Sequence, residues 1–195
     1  GELAPHLMGL DPTNLTLINS VMDTALLGHP YVKSAIDMAC WDLLGKATGK
    51  PVCDLLGGRQ GESVVLYRAI SQRPADEMAE NVAKYRDEGY ERFQLKVGGD
   101  PIDDIARIRA TSAVLKAGER LVADANTGWL VGDAIRVVNA VADIDVYIEQ
   151  PCIRYDHSLI DRRQTNLPFV LDENIDGLGA FMKAYNDLAM DAINL

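Results

Sequence analysis

No apolar run in this 195-residue chain approaches the roughly 18 residues that a transmembrane helix needs. A membrane partner is therefore not expected. Positive charge is also short: 19 Lys and Arg stand against 29 Asp and Glu, for a net charge of −10. A nucleic-acid partner needs a basic face, so that class is excluded. Anionic small molecules are not, because a bound cation reverses the local field. Cysteine is scarce, and Cys40, Cys53 and Cys152 are odd in number with no CxxC spacing. They predict small buried hydrophobes, no disulfide framework and a reducing, cytoplasmic setting. No basic-then-apolar leader opens the chain, so no secretion signal is expected. The histidines, His6, His29 and His157, share no metal-ligand spacing. No GxSxG or P-loop pattern is present, and the pairs Gly57-Gly58 and Gly98-Gly99 read as turns.

What is present opens with two amphipathic helices. Asp11-Pro12-Thr13-Asn14 is a helix-start signal, and Leu15, Ile18, Val21, Met22 and Leu26 follow on one face. Gly28-His29-Pro30 breaks that pattern. A second helix carries Val32, Ala35, Ile36, Ala39, Cys40, Leu43 and Leu44, and stops near Gly45 or at Gly49-Lys50-Pro51. Two helices make a poor domain alone, so residues 1–58 are expected to be part of something larger.

From Ser63 the pattern becomes strand, helix, strand, helix. Strands are expected at 64–70, 93–97, up to Asp124, up to Glu149, up to Asp172, and at 191–195. Helices are expected at 74–89, 102–117, 131–141, 157–164 and 178–190. Near-continuous apolar strands separated by helices imply a parallel sheet, closed into a barrel or open and doubly wound. Four successive strands end in residues capable of chemistry, which favours the barrel. The stretch from Ser63 onward is about half of the roughly 250 residues of an eight-stranded barrel. The expected fold is thus α/β: an incomplete TIM-type barrel of strands one to six over 59–195, preceded by helices. Six strands that do not close leave an unpaired edge, so residues 1–195 alone are expected to aggregate.

Three carboxylates end three of these strands. Leu121-Val122-Ala123 leads to Asp124, Val146-Tyr147-Ile148 to Glu149, and Phe169-Val170-Leu171 to Asp172. Matched positions in successive units predict three ligands converging on one hard cation. Oxygen ligands suit Mg²⁺, with Mn²⁺ as the alternative. Lys96 ends strand two beside this site. Next to a divalent cation the ammonium form is disfavoured, and a neutral amine is a usable general base. Asn126, two residues past Asp124, should point the same way and reach a water or a substrate oxygen. Gln150 and Glu173 should alternate to the opposite side and take packing or supporting roles. A lysine base beside a carboxylate-bound Mg²⁺ suits removal of a proton α to a carboxylate, with the metal stabilising the enediolate.

At these residues the sequence resembles the enolase superfamily, in its mandelate racemase/muconate lactonizing subgroup. The matching stretches are Val122-Ala123-Asp124-Ala125-Asn126 with Trp129, Ile148-Glu149-Gln150-Pro151, and Leu171-Asp172-Glu173-Asn174. Residues 31–46 resemble the closing helices of the family's capping domain. The resemblance implies that 1–58 is the C-terminal helical part of that domain and 59–195 the partial catalytic barrel. It implies Asp124, Glu149 and Asp172 as metal ligands, and Lys96 as the second lysine of a Lys-x-Lys motif whose first position is here Gln94. It also implies a second base at the end of strand six, just beyond Leu195. Cys152 after Glu-Gln-Pro, with Gln94-Leu95-Lys96-Val97-Gly98-Gly99, is similar to the branch acting on proline derivatives. That branch includes hydroxyproline betaine epimerases and cis-3-hydroxyproline dehydratases.

The leading expectation is a Mg²⁺-dependent racemase or epimerase of an amino-acid derivative of the proline betaine type. Next comes a dehydratase of a hydroxyproline or other β-hydroxy acid. A metal-binding barrel protein without turnover is the third. The partner is a small-molecule carboxylate, and the full-length protein is expected to be a homo-oligomer.

Overall fold

The computed structural model describes residues 1–194, which form two compact units divided between Val64 and Val65. Leu195, the last residue of the expected sixth strand, lies outside the described residues.

The first unit is helical. It contains α1 (Ala4–Leu7), α2 (Leu15–Ala25), α3 (Pro30–Thr48) and α4 (Val52–Leu55). The Asn14 side chain caps α2 by accepting from the Leu17 backbone N–H, which satisfies one of the orphan donors of the first turn. Gly49, in the left-handed conformation, ends α3. Leu3, Ile18, Met22 and Cys40 form the core. The expected stripe along α3 is only half used: Ile36 and Cys40 pack inward, while Val32 and Leu43 stay exposed. Within the unit α3 packs on α2 and α4, so the rest of its stripe has no partner there. Cys53, expected to be buried, is half-buried.

The second unit alternates strands and helices. In order these are β1 (Arg68–Ile70), α5 (Ala75–Asp87), β2 (Arg92–Lys96), α6 (Pro101–Ala113), β3 (Arg120–Asp124), α7 (Val131–Ala140), β4 (Tyr147–Glu149), α8 (Tyr155–Arg162), β5 (Phe169–Leu171), α9 (Leu178–Asn186) and β6 (Ala192–Ile193). All five pairings are parallel and the strand order is β1-β2-β3-β4-β5-β6. A sheet wound in one direction has no switch point, so the doubly wound alternative falls away. The architecture is that of a six-strand portion of a TIM-type barrel.

Side chains alternate across the strands. Phe93, Leu95, Leu121, Ile148 and Phe169 are fully buried, with Val82, Ile108, Val137 and Val138 from the helices in the same cluster. Each such side chain contributes about 1.5–3 kcal/mol. On the other face, Gln94, Val122, Tyr147, Glu149 and Val170 line a hollow of 390 Å³.

β1 is shorter than expected. Arg68 pairs with Phe93 and β2 begins at Arg92, so residues 64–66 have no neighbouring strand to pair with, and all three side chains are exposed. No helix among the described residues is long and apolar enough to cross a membrane.

Candidate active site

Lys96, Asp124 and Glu149 are the last residues of β2, β3 and β4. The register pairs Lys96 with Asp124 and Asp124 with Glu149, so the three stand level at one end of the sheet. β5 is shifted: Glu149 pairs with Val170, and Asp172 lies just past the strand. Its backbone N–H is held by Gln150 Oε1 at 2.9 Å, and the Asn174 N–H by the same oxygen at 3.2 Å. Gln150 is fully buried, and its Nε2 donates to the Cys152 carbonyl at 2.9 Å. This amide thus joins the ends of β4 and β5, the packing role expected of it.

Asp124 is 1 % exposed and Glu149 2 %. Lys96 Nζ donates to Asp124 Oδ2 at 2.5 Å and to Asn126 Oδ1 at 3.1 Å. The Asn126 N–H donates to Asp124 Oδ1 at 2.9 Å. Gln94 Nε2 donates to Glu149 Oε2 at 2.8 Å, and Asn194 Nδ2 donates to Glu149 Oε1. Burial pushes the Glu149 carboxyl up to about 7; the Gln94 hydrogen bond opposes this, the charge of Asp124 adds to it, Lys96 opposes it, and Asp172 adds again.

Asn126 reaches the site by a turn and not by strand alternation: β3 ends at Asp124, and Asn126 has a φ of 43°. Glu173 departs from expectation in the same way. Alternation would send it away from the site, but β5 ends at Leu171 and the chain turns. Glu173 is exposed, and its Oε1 accepts from Asn126 Nδ2 at 3.4 Å. Asp104 and Asn194 were not singled out in the sequence. Asn194 follows a short apolar stretch, as Asp124 does, which was a usable signal; Asp104 sits among the acidic residues of a helix's first turn and has none.

A hard cation fits this donor set in kind. The site offers carboxylate oxygens, two of the groups are buried, and Lys96 is the cation paired with them. As they stand, the side chains do not form a ready cage: among the described residues no three His, Cys, Asp or Glu groups are grouped closely enough to hold an ion. Lys96, Asn126, Gln94 and Asn194 take up oxygens of Asp124 and Glu149.

The comparisons agree on the family. Residues 1–57 match the mandelate racemase/muconate lactonizing enzyme N-terminal domain, and residues 77–195 match the enolase C-terminal domain-like family. The chain belongs to the mandelate racemase/muconate lactonizing subgroup of the enolase superfamily. It is 60% identical over 194 residues to a cis-3-hydroxy-L-proline dehydratase from Roseibium aggregatum, covering 100% of this chain and 53% of that protein. It is 31% identical to an N-succinyl-L-Arg/Lys racemase from Bacillus cereus, covering 99% of this chain and 53% of the relative. A crystal structure of an enolase-superfamily member from Roseovarius nubinhibens, complexed with magnesium, superposes with a TM-score of 0.88 at 41% identity, covering 98% of this chain and 52% of that one. The chain thus spans about half the length of these relatives.

Proposed function

We propose that the whole protein removes the proton α to the carboxylate of a proline-type amino acid and expels a β-hydroxyl group as water. The observation that carries this reading is the 60% identity to a cis-3-hydroxy-L-proline dehydratase over the stretch that holds Lys96 and the three carboxylates. It supports the dehydratase reading, which stands second among the expectations from the sequence. Epimerisation stays as the second reading, because the relatives also include an amino-acid racemase and dipeptide epimerases.

Asp124, Glu149 and Asp172 would hold the Mg²⁺ ion. When bound, it supplies positive charge where a carboxylate gains negative charge as its α-carbon loses a proton. Lys96 Nζ is the group to receive that proton, at the end of β2 and a third exposed. Asn126 Oδ1 gives Nζ a second partner besides Asp124, holding it at the sheet end. Gln94 fixes one oxygen of Glu149.

The test uses the whole protein with Mg²⁺ and cis-3-hydroxy-L-proline. Loss of water gives an enamine that tautomerises to a cyclic imine, which borohydride traps as proline. The expected result, in heavy water, is trapped proline that carries solvent deuterium at the β-carbon, where the enamine takes up its proton, and hydrogen from borohydride at the α-carbon. Deuterium exchange with inversion and no trapped proline replaces this reading with the epimerase. Neither product from hydroxyprolines or their betaines sinks both.

A further inference from the structure

Asp104 is fully buried on α6, at a position where a core-facing helix residue is ordinarily apolar. An ionised carboxylate is expensive to bury unless its oxygens are satisfied. Here they are. Oδ2 accepts from the backbone N–H groups of Gly98 at 2.9 Å and Gly99 at 2.8 Å, and from Trp129 Nε1 at 2.9 Å. Oδ1 accepts from Arg107 Nη1 at 2.7 Å. The Gly98-Gly99 turn is thus a backbone anion hole filled by the protein's own carboxylate.

What Asp104 joins is informative. Gly98 and Gly99 directly follow Lys96 and Val97, and Trp129 closes the turn that carries Asn126. The two turns also meet through the Val97 N–H, which donates to the Asp124 carbonyl at 2.9 Å. One carboxylate therefore clamps the exit of β2 to the exit of β3, the two strands that present Lys96 and its partners Asp124 and Asn126. We infer that Asp104 is a positioning residue for Lys96, setting where its amine stands relative to Asn126 and the carboxylates. This rests on the reading of Lys96 as the base.

The experiment uses the whole protein. Asp104→Asn keeps the shape and one acceptor oxygen but turns an amide N–H₂ toward Arg107. Adding Arg107→Leu removes that opposed donor. In Asp104→Asn, kcat for formation of the trapped imine should fall about 10²-fold, the scale of a misplacement of about 1 Å. KM and the Mg²⁺ affinity measured by calorimetry should hold. Acylation of Lys96 by an amine-reactive reagent, followed by mass spectrometry against exposed Lys46, should speed up several-fold. The double variant should recover both, and keeps the question open to test where the single variant does not fold.

Unchanged kcat and Lys96 labelling in Asp104→Asn overturns the inference. So does a parallel fall in kcat, Mg²⁺ affinity and melting temperature, which is the mark of a structural role alone. If the parent protein neither expels water nor exchanges the α-proton but Lys96 labelling still responds to Asp104→Asn, the base assignment fails while the positioning of Lys96 stands.

Discussion

Gln94 Nε2 donates to Glu149 Oε2 at 2.8 Å, reaching past β3 from β2 to β4. It does so because both side chains point into the hollow. A neutral donor stands here where the family pattern has the first lysine of Lys-x-Lys. It can fix a carboxylate without adding a second cation beside the site proposed for Mg²⁺.

Removing that donor should loosen the proposed metal site. Gln94→Leu leaves one oxygen of a buried carboxylate without its partner. Outer partners of metal ligands are typically worth about 10–100-fold in affinity. Calorimetric titration of Mg²⁺ into the whole protein should show a loss in that range. Unchanged affinity would mean that Gln94 does not orient Glu149 for the ion.

Lys96→Ala should separate binding from chemistry. The variant loses the group proposed to take the α-proton, and water loss from cis-3-hydroxy-L-proline should drop by roughly 10³-fold, within the span of general-base contributions. Its Mg²⁺ affinity should hold or rise, since the ammonium that now pairs with Asp124 is gone. Retained water loss in Lys96→Ala would remove it from the mechanism.

Asp161 gives the protein a pH-dependent weakness outside the site. It is fully buried on α8, and neither carboxylate oxygen has a hydrogen-bond partner. Burial pushes it up to about 7 from the usual carboxylate value of 3.8. A carboxyl raised on folding favours the protonated native state, so its contribution is fully present below the unfolded value. It is lost as pH rises through about 7. Urea melts should show stability falling between about pH 4 and pH 7, and Asp161→Asn should flatten that slope by an amount on the order of a few kcal/mol. Glu149 is raised in the same direction, so Mg²⁺ should remove its share and leave that of Asp161.

Much of the second unit was legible from its residues. The apolar runs ending in Asp124 and Glu149 became strands that stop at those residues, because a buried strand bounded by helices needs little more than that pattern. The end of β5 was less legible: it stops at Leu171, one residue early, because Gln150 takes the Asp172 N–H that a ladder would use. Glu173 was assigned to the wrong side for the same reason, since alternation stops where the ladder stops. Asp104 could not be read at all. Its importance comes from Gly98, Gly99 and Trp129 meeting it in space, and its own neighbours in sequence look like an ordinary acidic helix start.

Gly98 and Gly89 offer a matched pair for measuring how tightly the Lys96 turn is packed. Both have a φ of 97°, a conformation that side chains rarely adopt. A methyl group on Gly89 would meet open space, while one on Gly98 would collide with the Ala125 backbone carbonyl. The backbone strain of alanine is thus common to both, at about 1–3 kcal/mol. Any further loss in Gly98→Ala reports the contact between the two turns. Gly98→Ala should be the less stable of the two in urea and should lose turnover of cis-3-hydroxy-L-proline, while Gly89→Ala keeps it. Equal melts and equal turnover would show that the β2 and β3 turns can part without cost, and that the placement of Lys96 does not depend on their contact.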